Sequence, residues 1–259
     1  MDNKLTVGIV GCGFVGGALK RWLEEHNPDV TIHVSDPPKG FDDDLSAVDV
    51  AFVSIHIPTE RDGSQNITLL KEIIRGLPDK PIFVRTTILP GTSEVLSCET
   101  GRRVYFMPEF LTERTAYADF CSQPMVFTAE SALLQKIFVG KKFIEMTSFE
   151  AEVCKYAHNV FGALKVTYFN GIYDYCKKHN ADYNRVLAGV LLSGYINEMH
   201  TAVPGPDGKL GYGGKCFPKD VNALTKMTVG YPINSLLAPL PSLNAAFRGE
   251  DEQAGLVHR

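Results

Sequence analysis

The chain has 259 residues, enough for one large domain or two modest ones around a substantial core. A hydrophobic share of 44% fits an ordinary globular protein, and a formal net charge of −4 gives no overall basic footprint for nucleic acid. No apolar run is long enough to span a membrane, and the opening "MDNKLTVGIVG" lacks the basic segment and cleavable apolar stretch of a secretory signal.

Six cysteines (Cys12, Cys98, Cys121, Cys154, Cys176 and Cys216) are scattered without a C-x-x-C pair. That spacing argues against a disulfide framework and against a metal site. It fits reduced thiols in a cytoplasmic setting, most of them buried as small hydrophobes.

In chain order, "LTVGIV" predicts a short apolar strand running into "GCGFVG", where Gly11, Gly13 and Gly16 fit G-x-G-x-x-G. "FVGGALKRWLEEH" continues at helical spacing. In such a turn the first glycine permits the bend, the second lets backbone amides approach a pyrophosphate, and the third lets helix and strand pack closely. The helix N-terminus adds partial positive charge, so residues Gly11, Cys12, Gly13, Phe14, Val15 and Gly16 are the expected dinucleotide cradle. A second strand, "VTIHVSD", ends in Asp36, twenty residues beyond Gly16. An acid there binds the ribose 2′-hydroxyl of NAD and repels the extra phosphate of NADP. The other reading of Asp36 is a turn residue ahead of Pro37; the agreement in spacing favours the cofactor role.

Alternation continues through "DVAFVSIHIP" (strand), "NITLLKEIIRGL" (helix) and "PIFVRTTI" (strand), then the short β-rich runs "RVYFM", "PMVFTA" and "KKFIEM". This order predicts an α/β fold, a Rossmann-like doubly wound parallel sheet over residues 1–148. Ligands of such sheets sit beyond the carboxyl ends of strands, so residues 58–60, 86–92 and 108–113 are expected to face one crevice. Taken singly, threonines such as Thr59 and Thr87 are more often helix caps than ligand contacts.

From Phe149 to about Lys178 there is no proline and the spacing stays helical, which predicts a long helix joining two domains or lining a homodimer. Lys155 and Asn159, four apart, share one face of it. A second helix, "YNRVLAGVLLS", precedes a glycine- and proline-rich loop that leads to "LGYGGKCFPKD". Pro218 suits a first helical turn, so Cys216 is expected at or just before a helix N-terminus, where thiol pKa values fall. Gly213 and Gly214 leave room for a substrate to approach the sulfur, and Asp220 lies one turn on, near enough to handle a proton or a water. On these local features a reactive cysteine and a structural one in a tight turn both stay open.

"GYGGKCFPKD" resembles the active-cysteine signature of the UDP-glucose/GDP-mannose dehydrogenase family. "GIVGCGFVG" is similar to that family's dinucleotide loop, and "RTTILPGT" to its K-S-T-V-x-P-G-T segment. "MPEFLTERTAYADF" resembles N-P-E-F-L-x-E-G-x-A-x-x-D, and "AEVCKYAHNVFGALKVTYFNGI" resembles A-E-x-x-K-x-x-x-N-x-F-x-A-x-K. The resemblance covers nearly the whole chain. It implies an NAD-dependent, four-electron oxidation of a nucleotide-sugar primary alcohol to the uronic acid, through a thiohemiacetal and a thioester on Cys216. Position by position, it implies that Cys216 is the nucleophile and that Lys155 and Asn159 steady the oxyanion, with Lys155 also a candidate base. Asp220 would assist proton transfer or water activation. Glu109 and Glu113 would lie near the reacting centre, with Glu113 and Thr87 also close to the nicotinamide. The implied cofactor set extends to Pro58, Thr59, Thr86 and Lys219, and the implied substrate contacts are Glu109, Phe110, Leu111, Lys155, Asn159, Tyr212, Gly213 and Gly214.

Two departures stand beside the resemblance. Family members usually carry a third, C-terminal domain that grips the nucleotide, whereas this chain stops at Arg259 and Pro239 and Pro241 interrupt the corresponding connecting helix. No arginine occurs between Arg185 and Arg248 to match the one the family extends into a neighbouring substrate site. The expectation is therefore a shortened member: residues 1–148 bind NAD, 149–248 form an all-helical central and dimerisation domain entered through the long helix, and 249–259 are a polar tail. Its partners would be a nucleotide sugar and a second copy, with no nucleic acid and no membrane. Two other functions are carried along: a dehydrogenase of a smaller alcohol that needs no nucleotide grip, and a catalytically silent NAD-binding or assembly protein. The joint presence of Lys155, Asn159, Cys216 and Asp220 argues against the silent reading.

Overall fold

Alternate residues of the apolar runs go to opposite faces of one sheet. The computed structural model describes residues 4–60 and 63–249. Its elements follow in chain order as β1 (Leu5–Val10), α1 (Phe14–His26), β2 (Val30–Asp36), β3 (Phe41–Asp42), β4 (Val50–Val53), α2 (Thr68–Gly76), β5 (Ile82–Val84), α3 (Thr92–Thr100) and β6 (Val104–Phe106). After them come α4 (Ala116–Ser122), β7 (Met125–Phe127), α5 (Ser131–Ile137), β8 (Phe143–Glu145), α6 (Ser148–Lys178), α7 (Tyr183–Leu191), α8 (Phe217–Met227), α9 (Asn234–Leu237) and α10 (Leu240–Arg248).

The main sheet has the order β3-β2-β1-β4-β5-β6, parallel except for the two-residue β3, which turns back antiparallel on β2. Ile9, Phe52 and Phe83 point to one face, where they pack with Leu19, Trp22 and Leu23 of α1 and with Phe120 of α4. Their neighbours Val10, Val53 and Val84 point to the other face, against Leu70 and Ile74 of α2 and Leu96 of α3. This two-sided burial is what a doubly wound sheet demands, at about 1.5–3 kcal/mol for each large apolar side chain taken from water.

The sheet stops at β6, and "PMVFTA" and "KKFIEM" do not extend it. β7 and β8 pair with each other in a separate two-stranded parallel sheet. Side-chain hydroxyls take the backbone groups a further strand would have used. The Ser148 hydroxyl oxygen accepts from Phe106 N at 3.1 Å and the Thr128 hydroxyl donates to Phe106 O at 2.8 Å. Ser97 Oγ accepts from Val104 N at 3.2 Å and donates to Val104 O at 3.1 Å. Every polar group on that edge so served is unavailable to a neighbour.

The chain divides into two compact units, Met1–Pro58 with Gln65–Lys155 and Thr59–Ser64 with Tyr156–Arg259. The 31-residue α6 begins with a capping box, in which Thr147 Oγ1 accepts from Glu150 N and Glu150 Oε2 accepts from Thr147 N. In the second unit, Val160 and Ala163 of α6 bury against Tyr212, Val221, Leu237 and Leu240. A further cluster gathers Phe169, Cys176 and Tyr183. Asp182 caps α7, its carboxylate accepting from Asn184 N and Arg185 N. The helical path breaks between α9 and α10 at Pro239. The expected polar tail from 250 on lies outside the described residues.

No described helix is long and apolar enough to cross a membrane. None of the six cysteines forms a disulfide, but the expectation that most are buried is corrected: Cys176 alone is buried, while Cys98, Cys121 and Cys216 are exposed. Cys98 and Cys121 sit in the last turns of the short helices α3 and α4, where a thiol need not be covered.

Candidate functional site

In the first unit the glycine loop joins β1 to α1. Gly11 has φ +83°, a left-handed conformation that costs a residue with a Cβ, and a Cβ there would stand 2.6 Å from Ser54 O. At Gly16 a Cβ would overlap the carbonyl oxygen of Gly11, so only glycine lets α1 start this close to the turn. The would-be Cβ of Gly13 meets only Lys39 Nζ, at 3.9 Å, which leaves the loop backbone open on that side. Gly13 is the N-cap of α1 and lends no side chain to its amides, while Phe14, the first helical residue, is exposed. Asp36 closes β2 beside this loop: its Oδ2 accepts from Cys12 N at 2.7 Å, and Lys39 Nζ lies 3.6 Å away while donating to Cys12 O at 2.6 Å. A tight turn, an uncapped helix start and an acid at the next strand's end fit the pyrophosphate and adenosine ribose of a dinucleotide.

The same unit carries the strand-end segments. Thr86 Oγ1 donates to Ile55 O at 2.5 Å, and the Gln65 side chain spans the next turn, donating to Thr87 O and accepting from Leu89 N, both at 3.1 Å. Glu152, fully buried on α6, accepts from Gly91 N at 2.5 Å and Ser93 N at 2.9 Å. It thereby caps α3 from outside that helix and ties the 86–91 turn to α6. Burial pushes the Glu152 carboxyl up despite those two donors. One helical turn on, Lys155 is 4% exposed; its ammonium donates to the Glu109 carbonyl and to Glu109 Oε1 at 3.0 Å. Glu109 Oε2 accepts from Leu111 N at 2.6 Å, so Glu109, Leu111 and Lys155 form one bonded cluster with the Phe110 ring 5.5 Å from the ammonium. Arg85, directly after β5, is buried behind them, and its Nε and Nη1 lack a hydrogen-bond partner. Desolvation lowers the Arg85 guanidinium to about 10, with Glu109 partly offsetting the loss, so it stays charged at neutral pH. Pro58 and Glu113 lie exposed on their loops.

In the second unit the glycine segment ahead of the cysteine is held from both sides. Asn170 Oδ1 on α6 accepts from Gly211 N at 2.9 Å. Asn244 on α10 accepts from Tyr212 N at 2.6 Å and donates to Tyr212 O at 3.0 Å. Burial pushes the Tyr212 hydroxyl up to about 12. The space at Gly213 is not the open approach expected: a Cβ there would be 3.0 Å from both Arg248 Nη1 and Asp207 Oδ2, an ion-paired couple 3.1 Å apart. Gly214, at φ +76°, has nothing within 4 Å of its would-be Cβ.

Cys216 is the N-cap residue of α8 and its thiol is exposed. The Cys216 carbonyl accepts from Asp220 N at 3.0 Å, the first bond of the helix, with Pro218 in the first turn where no donor is lost. Asp220 itself is fully buried; its Oδ2 accepts from Asn159 Nδ2 at 2.6 Å and its Oδ1 from Lys219 Nζ at 2.5 Å. Lys219 is thus the cation bonded to Asp220. Thr59, also of this unit, is half-buried. A helix N-terminus in general favours the thiolate form of a cysteine placed there.

Sequence reasoning assigned no role to Gln65, Arg85, Glu152, Asn170 or Asn244. The only available signal was the glutamate inside "FEAEVCKY" and the asparagines inside apolar helical spacing, where a polar residue needs a buried partner.

Residues 149–242 match the model of the UDP-glucose/GDP-mannose dehydrogenase family, central domain. The chain is 30% identical over 240 residues to a GDP-mannose 6-dehydrogenase of Pseudomonas savastanoi pv. phaseolicola, covering 82% of this chain and 53% of that protein. It is 27% identical over 214 residues to a UDP-glucose 6-dehydrogenase of Rickettsia typhi, covering 75% of this chain and 48% of the relative. The chain therefore spans about half the length of the curated relatives it matches. Its fold is similar to that of a UDP-glucose dehydrogenase from Pyrobaculum islandicum, with a TM-score of 0.79 and 24% identity, over 94% of this chain and 68% of that one.

Proposed function

We propose that this chain, whose residues 149–242 match the model of the central domain of the UDP-glucose/GDP-mannose dehydrogenase family, binds NAD and oxidises the primary alcohol of a nucleotide sugar to the carboxylate. The observation that carries this reading is the exposed Cys216 thiol at the head of α8, with Asn159, Lys219 and Asp220 bonded together in the same unit. NAD, held by the Gly11–Gly16 loop and Asp36, supplies the hydride acceptor for two successive oxidations. The Cys216 thiolate adds to the carbon of the intermediate aldehyde to give a thiohemiacetal; after the second oxidation the sulfur carries the acyl group as a thioester. Water cleaves that bond, releasing the acid and returning the proton to sulfur.

Two of the three Lys155 N–H bonds go to Glu109, and the third is assigned to the oxyanion that arises at both stages. The second amide N–H of Asn159, one turn along α6, has the same role. Asp220, paired with Lys219, serves the proton and water movements, while Glu109, Glu113, Thr86 and Thr87 line the substrate and nicotinamide side. The curated relatives named for UDP-glucose and GDP-mannose support the substrate class. We also assign a homodimer. Phe161, Tyr168 and Tyr175 recur every seven residues along α6 and are 65%, 60% and 64% exposed, an apolar stripe suited to a second copy.

The test is incubation of the protein with NAD and a panel of nucleotide sugars and simple alcohols, following NADH and the acid. Two NADH per nucleotide sugar are expected, and Cys216→Ser is expected to abolish acid formation. Undiminished acid from the serine variant would refute the thioester route. Turnover of simple alcohols alone would replace the substrate assignment, and intact NAD binding with no turnover would point to the silent reading.

A further inference from the structure

We infer that Phe217, seated against Gly162, is a positioning residue that fixes where Cys216 stands along α6; what Cys216 then does rests on the function proposed above. The seat is specific. A Cβ at Gly162 would lie 2.7 Å from Phe217 Cζ, 3.2 Å from Cε1 and 3.4 Å from Cε2, so the ring edge is pressed onto the bare backbone of the helix. A glycine inside a helix costs about 1 kcal/mol against alanine, and its place in mid-α6 is explained by this contact.

The ring has little freedom to yield. His200 meets it edge-on at 5.2 Å between centroids and Tyr212 does so at 6.5 Å, and Phe217 packs into the cluster of Val160, Ala163, Tyr212 and Val221. Phe217 opens α8 directly after Cys216. Three residues on, Asp220 accepts from Asn159, which lies three residues before Gly162. The two ties, Asn159 to Asp220 and Gly162 to Phe217, therefore run antiparallel with equal spacing and set both the angle and the register of α8 on α6. One tie alone would leave the head of α8 free to swing. With both, the backbone of Cys216, one residue before the ring, is held in one place along α6.

The test uses the full chain with Gly162→Ala, Phe217→Leu and the double variant. Alkylation of Cys216 by iodoacetamide is followed across pH and assigned by peptide mass spectrometry, beside NADH formation. Gly162→Ala overfills the seat and Phe217→Leu underfills it. Each is expected to change the Cys216 alkylation rate by about threefold or more and to lower kcat by about tenfold, with KM for NAD held. Combined, they refill the seat, and both readouts return to within about threefold of the parent. Alkylation unchanged in both single variants overturns the inference, as does a double variant whose defects simply add. If Gly162→Ala does not fold, Phe217→Leu and its recovery in the double variant still decide the matter. Should no variant or parent oxidise a nucleotide sugar while alkylation follows the expected pattern, the function falls and the positioning role stands.

Discussion

Asp36 and Lys39 meet the glycine loop together, and their balance decides which dinucleotide the loop should take. The carboxylate accepts from Cys12 N at 2.7 Å and holds the Lys39 ammonium at 3.6 Å. Asp36→Asn keeps an oxygen for Cys12 but removes the negative charge and frees the ammonium. Affinity for NADP relative to NAD is expected to rise about tenfold, roughly 1.4 kcal/mol, in paired calorimetric titrations. An unaltered ratio would remove Asp36 from cofactor choice. Asn159 offers a second residue-level case. Its truncation to alanine strips a donor from the fully buried Asp220 carboxylate, which should cost about 1–3 kcal/mol in a denaturant melt. A midpoint matching the parent would mean that Lys219 alone satisfies Asp220.

At the scale of elements, α6 and α3 are joined through one carboxyl group. Burial raises Glu152 above its ordinary value of 4.5, so the folded chain keeps a proton that the unfolded chain has already shed. The stability it contributes is complete below 4.5 and is lost as pH rises through the higher folded value. Glutamine cannot titrate. The stability of the parent relative to Glu152→Gln should therefore be greatest in acid and decline toward neutrality, as read from melts at a series of pH values. A difference that grows with pH would reverse the assignment. Sequence periodicity reached the elements themselves: the alternation through "VTIHVSD" and "PIFVRTTI" fits β2 and β5, and the proline at 218 marks the start of α8. It could not reach their partners. A three-residue strand such as β7 does not say which edge it joins, and the hydroxyls of Ser97, Thr128 and Ser148 that close β6 look like ordinary polar residues in the chain. Glu152 and Asn244 were hidden for the same reason, because their hydrogen-bond partners are remote in sequence.

For the molecule as a whole, the Phe161, Tyr168 and Tyr175 stripe makes the state of association testable. Light scattering should give twice the chain mass for the parent, and Phe161→Glu with Tyr168→Glu should return a monomer with its helical content kept. A parent that runs as a monomer at high concentration would end the dimer assignment. The cysteine inventory also acts at this scale. With Cys98, Cys121 and Cys216 all exposed, handling without a reductant should give mixed oxidation products, so a labelling result is interpretable only when assigned to individual peptides.

The outer rim of β6 bears on the protein's life at high concentration. Bare strand borders recruit other strands and seed fibrils. Here the hydroxyls of Ser97, Thr128 and Ser148 act as a fitted selvedge, so an incoming peptide finds no vacant amide at Val104 or Phe106 to zip onto. Crowding of this protein should therefore lead to association through its helices well before it leads to cross-β growth from that side.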